Sequence, residues 1–191
     1  MKALRTSTPP GRRRSPPVVK PARQGSSVGV TLVRERKDLA AACDAAWKFD
    51  DKLVVEEFVA GRELTVGVFA DRTLPVIEIK HKGKIFDYDG KYKSGQTEYL
   101  VPAPLDAQVA ARAQFFAQRA HQCLGCRDYS RVDMILNTSG KLFVLEVNTI
   151  PGFTDTSLVP KAARAAGMEF RELCVRLVEM ALARTEVLAV H

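Results

Sequence analysis

The sequence has little of what marks several large classes of protein. No apolar run approaches the ~18 residues of a membrane-spanning helix, and the basic N-terminus lacks the apolar stretch of a secretory signal. Of the four cysteines, only Cys123 and Cys126 have redox or zinc spacing, and no second pair accompanies them. We therefore expect plain core cysteines at a helix end, and a reducing, cytoplasmic setting without a membrane partner.

Acidic residues are absent from the first 23 positions, which hold seven of the 29 Lys and Arg. The other 22 basic residues balance the 22 acids, so the formal net charge of +7 comes from this N-terminal segment. Residues 1–17 are rich in Pro, Ser and Arg and cannot bury a core, which predicts a disordered basic tail. One arginine cluster without interleaved aromatics is a weak nucleic-acid signal, and we expect no such partner.

Strand and helix patterns alternate along the rest of the 191-residue chain. Strands are predicted at 18–21, 30–33, 53–58 (buried), 62–70, 74–79, 132–136 and 142–147. Helices are predicted at 37–48, 106–123 and 169–184, and residues 86–104 read as one long loop. The last helix carries an apolar stripe of Phe170, Leu173, Cys174, Leu177, Val178, Ala181 and Leu182. This mixture indicates an α+β fold, with a sheet covered by helices.

The last two predicted strands form a hairpin that brings two acids together. A two-residue turn at Ser139 and Gly140 would place Asp133 opposite Glu146, with the Cβ atoms ~5 Å apart. At ~4 Å and an effective dielectric near 20, two such carboxylates repel by ~4 kcal/mol. A positive group should therefore lie between them.

Two interpretations of this acid pair stay open. Strand alternation places Arg131 and Asn148 on the same face, while Leu145 lies on the opposite, core face. Arg131 could bridge both acids in a structural network. Alternatively, Asp133, Glu146 and the Asn148 carbonyl oxygen could hold a hard cation such as Mg²⁺, which favours one or two carboxylates plus phosphate oxygens.

Two loops carry further candidate residues. Residues 23–29 are rich in Gly and Ser and follow Lys20, so they could form an anion nest beside a point charge, or simply a hairpin tip. In residues 87–95, Lys91 could meet phosphate and Tyr92 could orient a substrate, or the segment is a solvated loop.

The segment 148–157 follows the candidate cation ligand directly. Gly152 could present its backbone N–H to a developing oxyanion. The alternative is a strand-to-helix turn that is capped by Asp155 or Ser157. Taken together, the phosphate-type loop, the Lys/Tyr loop and the oxygen-rich hairpin indicate nucleotide-dependent phosphoryl transfer.

The chain resembles the D-alanine–D-alanine ligases of the ATP-grasp superfamily, because its motifs occur in the same order as in that family. The resemblance covers roughly residues 18–184 and is carried by 20–29 (KPARQGSSVG), 56–63 (EEFVAGRE), 88–92 (YDGKY), 131–133 (RVD), 146–152 (EVNTIPG), 157–160 (SLVP) and 162–168 (AARAAGM). It implies an ATP-grasp fold with a partial central subdomain at 18–58 and a C-terminal catalytic subdomain at 59–188, built on a mixed or antiparallel sheet. It also implies a homodimer for the full-length protein.

The resemblance implies a reaction in which ATP phosphorylates one D-alanine and the amine of a second attacks the acyl phosphate, for peptidoglycan precursors. Two Mg²⁺ or Mn²⁺ ions would be held by Asp133, Glu146 and Asn148. The nucleotide would be contacted by Lys20, Ser26, Ser27, Glu56, Glu57, Phe58, Val59, Glu63 and Lys91. Catalytic roles would fall to Ser26, Tyr92, Arg131, Gly152 and Ser157.

Within this assignment the two lysines neutralise phosphates, Glu56 and Glu63 contact adenine and ribose, and Phe58 and Val59 line the base pocket. Arg131 and the Gly152 N–H stabilise the oxyanion, and Ser157 holds the carboxylate of the second substrate. The loops that carry Ser26 and Tyr92 would close over the site, and a Tyr at position 92 favours a dipeptide over a depsipeptide product.

Family members have a domain before this region, and we expect that domain and the start of the ATP-binding domain to be missing here. Three alternatives therefore stand beside a ligase: a nucleotide-binding remnant without catalysis, another ATP-grasp carboxylate–amine ligase, and a basic-tailed nucleic-acid binder. The neutral body of the chain argues against the last.

Overall fold

The computed structural model describes residues 15–25, 27–81 and 97–188. The described residues form two compact units, the first ending at Val59 and the second beginning at Ala60. The predicted basic tail covers residues 1–17, of which residues 1–14 lie outside the described residues, as do the predictions for Ser26, Lys91 and Tyr92. The prediction of disorder is wrong for Pro17, which begins the first strand.

The first unit is a three-stranded antiparallel sheet with one helix. Strands β1 (Pro17–Pro21), β2 (Thr31–Leu32) and β3 (Leu53–Glu57) are ordered β2-β1-β3, and a 3-10 turn at Arg36–Asp38 leads into helix α1 (Leu39–Trp47). The core consists of Val19, Val33, Ala42 and Ala46. The predicted strands and helix are confirmed.

The prediction of a buried strand at 53–58 is wrong in one respect. Strand β3 lies at an edge of its sheet, and Val55 is 44% exposed. A run of Leu and Val therefore marks the strand correctly but does not by itself establish burial on both faces.

The second unit is built on an antiparallel sheet ordered β7-β6-β4-β8-β9. Its strands are β4 (Gly61–Phe69), β5 (Arg72–Thr73, paired with β4), β6 (Ile77–His81), β7 (Thr97–Leu100), β8 (Tyr129–Asn137) and β9 (Leu142–Asn148). The prediction of one loop over 86–104 is wrong at residues 97–100, which pair with β6 at the sheet edge. Only four residues of mixed polarity form this strand, so they carry no clear two-residue period.

Helix α2 (Ala107–Cys123) covers one face of this sheet. The inward positions of β4 and β8 pack against the small residues of the helix: Leu64, Val66, Val68, Val132 and Met134 against Ala113 and Ala117. The Asp106 side chain accepts a hydrogen bond from the Gln108 N–H at 2.8 Å, and so caps the start of the predicted helix. Cys123 ends this helix but is exposed, so the prediction of a core position for it is wrong.

The other face is covered at one end by helices α3 (Leu158–Ala165) and α4 (Phe170–Leu188). Phe69, Leu74 and Ile77 pack there with Val159, Ala162, Ala163 and Leu173. The predicted helix at 169–184 is confirmed, but its stripe is only partly buried, since Val178 and Leu182 are 58% and 60% exposed. No helix in the described ranges has both the length and the apolarity that crossing a bilayer requires.

Candidate functional site

The sheet face that α3 and α4 cover at one end carries a row of polar side chains farther along. Asp133 of β8 lies directly opposite Glu146 of β9, and Arg131 lies opposite Asn148. On the other side of β8, Thr65 of β4 also lies opposite Asp133. The predicted pairing of the two acids is therefore confirmed.

The turn that produces this pairing differs from the predicted one. The Asn137 N–H donates to the Lys141 carbonyl at 2.9 Å across a three-residue loop in which Gly140 adopts a φ of +77°. Such a loop, typical of a type I turn followed by a left-handed residue, sets Leu136 opposite Leu142 and would by itself set Asp133 opposite Leu145.

A β-bulge between Asp133 and Met134 shifts the register by one residue and returns Asp133 to Glu146. The prediction of a two-residue turn is wrong, although the pairing deduced from it holds. Leu145, predicted to face the core, is the additional residue of the bulged strand and is 42% exposed. Bulges of this kind re-aim side chains, and this one aims Glu146 at the site face.

The Asp133 carboxylate receives hydrogen bonds on both oxygens. Arg131 donates from Nε to Oδ1 at 2.9 Å and from Nη2 to Oδ2 at 2.7 Å. The Thr65 hydroxyl donates to Oδ1 at 2.6 Å, and Asn148 Nδ2 donates to Oδ2 at 3.0 Å. The hydrogen bond to Asp133 raises the pKa of Arg131, against the opposing effect of burial. Arg131 is therefore firmly cationic and held on this carboxylate.

Asn148 connects the two acids. Its Nδ2 also donates to Glu146 Oε1 at 3.2 Å, whereas Arg131 makes no hydrogen bond to Glu146 within the described part of the chain. Arg131 therefore hydrogen-bonds Asp133 and acts on Glu146 only electrostatically, whereas Asn148 hydrogen-bonds both acids. The structural network of the first interpretation is present, with Asn148 instead of Arg131 as its hydrogen-bonded bridge.

The donor set at this place is suited to a hard cation. Two carboxylates and one amide oxygen match the all-oxygen coordination of Mg²⁺ or Mn²⁺, which takes its remaining ligands from phosphates and water. To ligate, the Asn148 amide must turn so that Oδ1 replaces Nδ2. Among the described residues, no group of three or more His, Cys, Asp and Glu is placed to hold a metal ion.

Two of the predicted nucleotide residues form an ion pair in the first unit. Lys20 Nζ lies 2.8 Å from Glu56 Oε1, and the two side chains are 25% and 37% exposed. Strand pairing explains the contact, because Val18 lies opposite Glu56 and Lys20 follows on the same face of β1. A phosphate that binds Lys20 has to compete with this carboxylate.

An anchor that sequence reasoning missed holds the start of the Gly/Ser loop. The Arg23 backbone N–H donates to Asp50 Oδ2 at 2.7 Å, and its guanidinium pairs with Asp50 at 2.5 Å and with Asp51. The hydrogen bond from Arg23 holds the pKa of the Asp50 carboxyl well below its usual range. The only feature of the sequence that points to this anchor is the pair of neighbouring acids, Asp50 and Asp51, after α1. In the same loop, Ser27 adopts a φ of +60°.

A second missed residue touches Glu63, a predicted ribose contact. His81 Nε2 lies 3.0 Å from Glu63 Oε2, and its Nδ1 lies 3.3 Å from the Thr97 hydroxyl. Glu63 and His81 share one face of neighbouring strands, because Glu63 pairs with Ile79. The pairing of β4 with β6 had to be known before this contact could be inferred.

The segment after Asn148 brings Gly152 close to Ser157. A Cβ built on Gly152 would come 3.4 Å from Ser157 Oγ, so the backbone approaches this hydroxyl closely. Ser157 occupies the N-cap position of α3, as one interpretation predicted, but its Oγ accepts from the Thr154 N–H at 3.0 Å rather than from a helix N–H. The Ser157 hydroxyl is thus held beside the start of a helix, where the N–H groups favour an anion.

The other predicted nucleotide residues, Glu57, Phe58 and Val59, follow one another at the end of β3. The Phe58 N–H donates to the Pro16 carbonyl at 3.0 Å, which fixes the end of this strand.

Comparison with known proteins identifies the family of this chain. The family described as "D-ala D-ala ligase C-terminus" matches residues 11–179. The D-alanine–D-alanine ligase of Syntrophotalea carbinolica is 48% identical over 163 residues, covering 85% of this chain and 53% of the relative. The enzyme of that name from Methylacidiphilum infernorum is 44% identical over 169 residues, covering 88% and 56%.

Solved structures give the same result. The D-alanine–D-alanine ligase from Bacillus anthracis is 36% identical with a TM-score of 0.78, covering 90% of this chain and 56% of that one. The VanG D-Ala:D-Ser ligase from Enterococcus faecalis is 36% identical with a TM-score of 0.79, covering 88% and 50%. A structure of the Bacillus anthracis enzyme complexed with ATP is 32% identical, with a TM-score of 0.77.

The chain spans about half the length of the curated relatives that it matches. The match nevertheless extends over most of the sequence and includes the polar row on β4, β8 and β9. The chain belongs to the family of the D-alanine–D-alanine ligase C-terminus.

Proposed function

We propose that this chain carries the cation-binding and part of the nucleotide-binding machinery of an ATP-dependent ligase that joins two D-alanines for peptidoglycan precursors. The observation that carries the proposal is the convergence of Asp133, Glu146 and Asn148 on one sheet face. A carboxylate is a poor electrophile, so its phosphorylation by ATP makes it reactive toward the amine of the second D-alanine.

Two Mg²⁺ or Mn²⁺ ions would be held by Asp133, Glu146 and Asn148. When bound, these ions would neutralise the charge on the transferring phosphoryl group. Lys20 would add a positive charge at the phosphates after release from Glu56. The remaining nucleotide contacts of the proposal are those of the resemblance: Ser26, Ser27, Glu57, Phe58, Val59, Glu63 and Lys91.

Arg131 would serve the tetrahedral intermediate together with the Gly152 N–H. In the structure both guanidinium bonds go to Asp133. A cation that binds Asp133 takes over the charge compensation of this carboxylate, and Arg131 becomes available to an oxyanion. The proposal therefore gives Arg131 two successive partners on the same sheet face.

Ser157 would hold the carboxylate of the second substrate beside the N-terminus of α3. Its Oγ hydrogen bonds with Thr154 Oγ1 at 2.9 Å and with the Thr154 N–H leave the hydroxyl fixed in position. The similarity to a D-Ala:D-Ser ligase favours testing D-serine beside D-alanine as the second substrate. Tyr92 belongs to the same proposal as a residue that favours a dipeptide.

The proposal is tested by phosphate release from Mg·ATP, measured with and without D-alanine. The assay is run on this chain alone and on the chain mixed with the part of the Syntrophotalea carbinolica relative that it does not cover. We expect Mg·ATP binding in both cases and D-alanine-dependent release in the mixture, and we expect Glu146→Gln to abolish both. Glu172→Gln, at an exposed position of helix α4, serves as the matched control.

The outcomes separate the alternatives. Nucleotide binding without release under any condition would identify a nucleotide-binding remnant. Release that depends on a different carboxylate and amine would identify another ATP-grasp ligase. If Mg·ATP binds equally well to the Glu146→Gln variant, the proposal is wrong.

A homodimer of the full-length protein and a cytoplasmic location complete the proposal, and both rest on the family resemblance. Light scattering on the full-length protein measures the first, and fractionation of cells that express it measures the second.

A further inference from the structure

Thr65 carries a buried hydroxyl in the middle of β4, and the formation of this strand does not require a hydroxyl at that position. The residue is 1% exposed, and its neighbours on β4, Leu64 and Val66, are fully buried against the α2 side. A valine has nearly the same shape and at least the same preference for a strand. The hydroxyl therefore calls for an explanation in its contacts.

The hydroxyl is directed to the Asp133 carboxylate. Thr65 Oγ1 lies 2.6 Å from Asp133 Oδ1 and 3.4 Å from the Val132 carbonyl oxygen. A hydroxyl has one proton, and 2.6 Å is the range of a charge-assisted O–H···O⁻ bond. Thr65 therefore donates to Asp133.

This bond distinguishes the two carboxylate oxygens of Asp133 by their hydrogen-bond partners. Thr65 binds Oδ1, while Asn148, which also contacts Glu146, binds Oδ2. Oδ2 is therefore the oxygen that faces the other candidate cation ligands. Fixing Oδ1 on a short side chain of a central strand sets the direction of Oδ2.

Thr65 also differs from the other donors in what happens when a cation binds. Asn148 has to turn its amide, and Arg131 is needed at the oxyanion. Of the donors that the structure shows on Asp133, Thr65 alone has a side chain too short to leave and no second role. We propose that Thr65 is a positioning residue whose hydroxyl holds Asp133 Oδ1, so that Oδ2 ligates the divalent cation.

This inference rests on the proposed function, since it presumes that Asp133 ligates a cation. Carboxylates that ligate metals are themselves hydrogen-bonded, and loss of such a partner typically weakens metal affinity by about 10–100-fold. We therefore expect Thr65→Val to weaken Mn²⁺ binding by about that factor. Thr65→Ser keeps the hydroxyl and should bind Mn²⁺ within about threefold of the unchanged chain.

The experiment titrates Mn²⁺ into the 191-residue chain with ATP present and follows free Mn²⁺ by electron paramagnetic resonance. A parallel titration of ATP alone gives the Mn²⁺ that the nucleotide itself binds, and the difference is the binding due to the chain. Circular dichroism and urea unfolding without cation report on the fold of each variant. Thr65→Ala provides a second variant without the hydroxyl in case Thr65→Val does not fold. Thr73→Val in β5, a residue of the same type outside the site, is the matched control.

Weak binding by the Val and Ala variants, with binding restored in the Ser variant, supports the role of Thr65. If Glu146→Gln weakens Mn²⁺ binding but neither variant without the hydroxyl does, the role of Thr65 is refuted while the cation site stands. If the unchanged chain binds no Mn²⁺, or if Glu146→Gln binds it as well as the unchanged chain, the proposed function fails and the inference fails with it.

Discussion

Replacing Arg131 by methionine removes the cation that holds Asp133 while keeping much of the apolar volume of the side chain. The Arg131–Asp133 pair is largely buried, with the two side chains 21% and 15% exposed. Loss of one partner from a buried pair typically costs ~3–5 kcal/mol, because a charge is left without its partner. Here Thr65 and Asn148 still donate to Asp133, so we expect Arg131→Met to destabilise the chain by ~2–3 kcal/mol.

This prediction is measured by urea unfolding at neutral pH in the presence of EDTA. With an m-value of ~2 kcal/mol per molar, the midpoint should fall by about 1–1.5 M. Arg176→Met is the matched control, since Arg176 lies the same 2.7 Å from Glu172 but both side chains are about half exposed. An exposed pair of this kind contributes ~0.3–0.5 kcal/mol.

Addition of Mg²⁺ extends the same test. The cation and Arg131 compete for Asp133, so Mg²⁺ should stabilise Arg131→Met more than the unchanged chain. If Arg131→Met costs no more than Arg176→Met, the carboxylate does not depend on the guanidinium. If Mg²⁺ stabilises both proteins equally, the two cations do not share a binding place.

Two further predictions concern the fold. Gly61→Ala should destabilise the chain by ~3 kcal/mol or more, because a Cβ there would overlap the backbone oxygen of Leu136. Gly25 has open space around it, so Gly25→Ala should change the free energy of unfolding by less than ~1 kcal/mol. Thermal unfolding compares the two variants, and equal melting temperatures would contradict the register of β4 and β8. His121, buried with its Nδ1 2.7 Å from the Ser130 hydroxyl, has its pKa lowered mainly by burial. As the pH falls, the unfolded chain protonates this histidine first, at about pH 6.5, so the stability linked to the group is complete above that pH and is lost below it. Urea unfolding from pH 8 to pH 5 should show this loss. If the free energy of unfolding of His121→Gln falls equally with pH, another group causes the loss.

The regular spacing of apolar residues was sufficient to predict several strands and helices. The predicted strand at 62–70 is confirmed as β4, and the structure places Leu64, Val66 and Val68 on one face against α2. The same reasoning overestimated burial where an element extends beyond its neighbours. Val178 lies on the predicted apolar stripe of α4 but is 58% exposed, because periodicity reports a face and not what covers it.

The site was predictable in part because two errors in the hairpin cancelled. The loop is one residue longer than predicted, and the β-bulge after Asp133 restores the pairing with Glu146. Neither feature has a strong local signal. A prediction from the actual three-residue loop without the bulge would have set Leu145 opposite Asp133, and the acid pair would have been missed.

The residues that support the site could not be found from local sequence. Thr65 and Asp133 are 68 positions apart, and Arg23 and Asp50 are 27 apart. Such contacts depend on which strands become neighbours and in what register, which follows from the packing of the whole sheet. A buried threonine in a strand reads as ordinary β-propensity until its partner is known.

Anomalous diffraction from crystals grown with Mn²⁺ and a non-hydrolysable ATP analogue tests the central claim most directly. The account predicts manganese within about 2–2.2 Å of carboxylate oxygens of Asp133 and Glu146 and of the Asn148 amide oxygen, with Arg131 released from at least one Asp133 oxygen. Manganese found elsewhere on the chain, with Arg131 and Asn148 still hydrogen-bonded to Asp133, would contradict it.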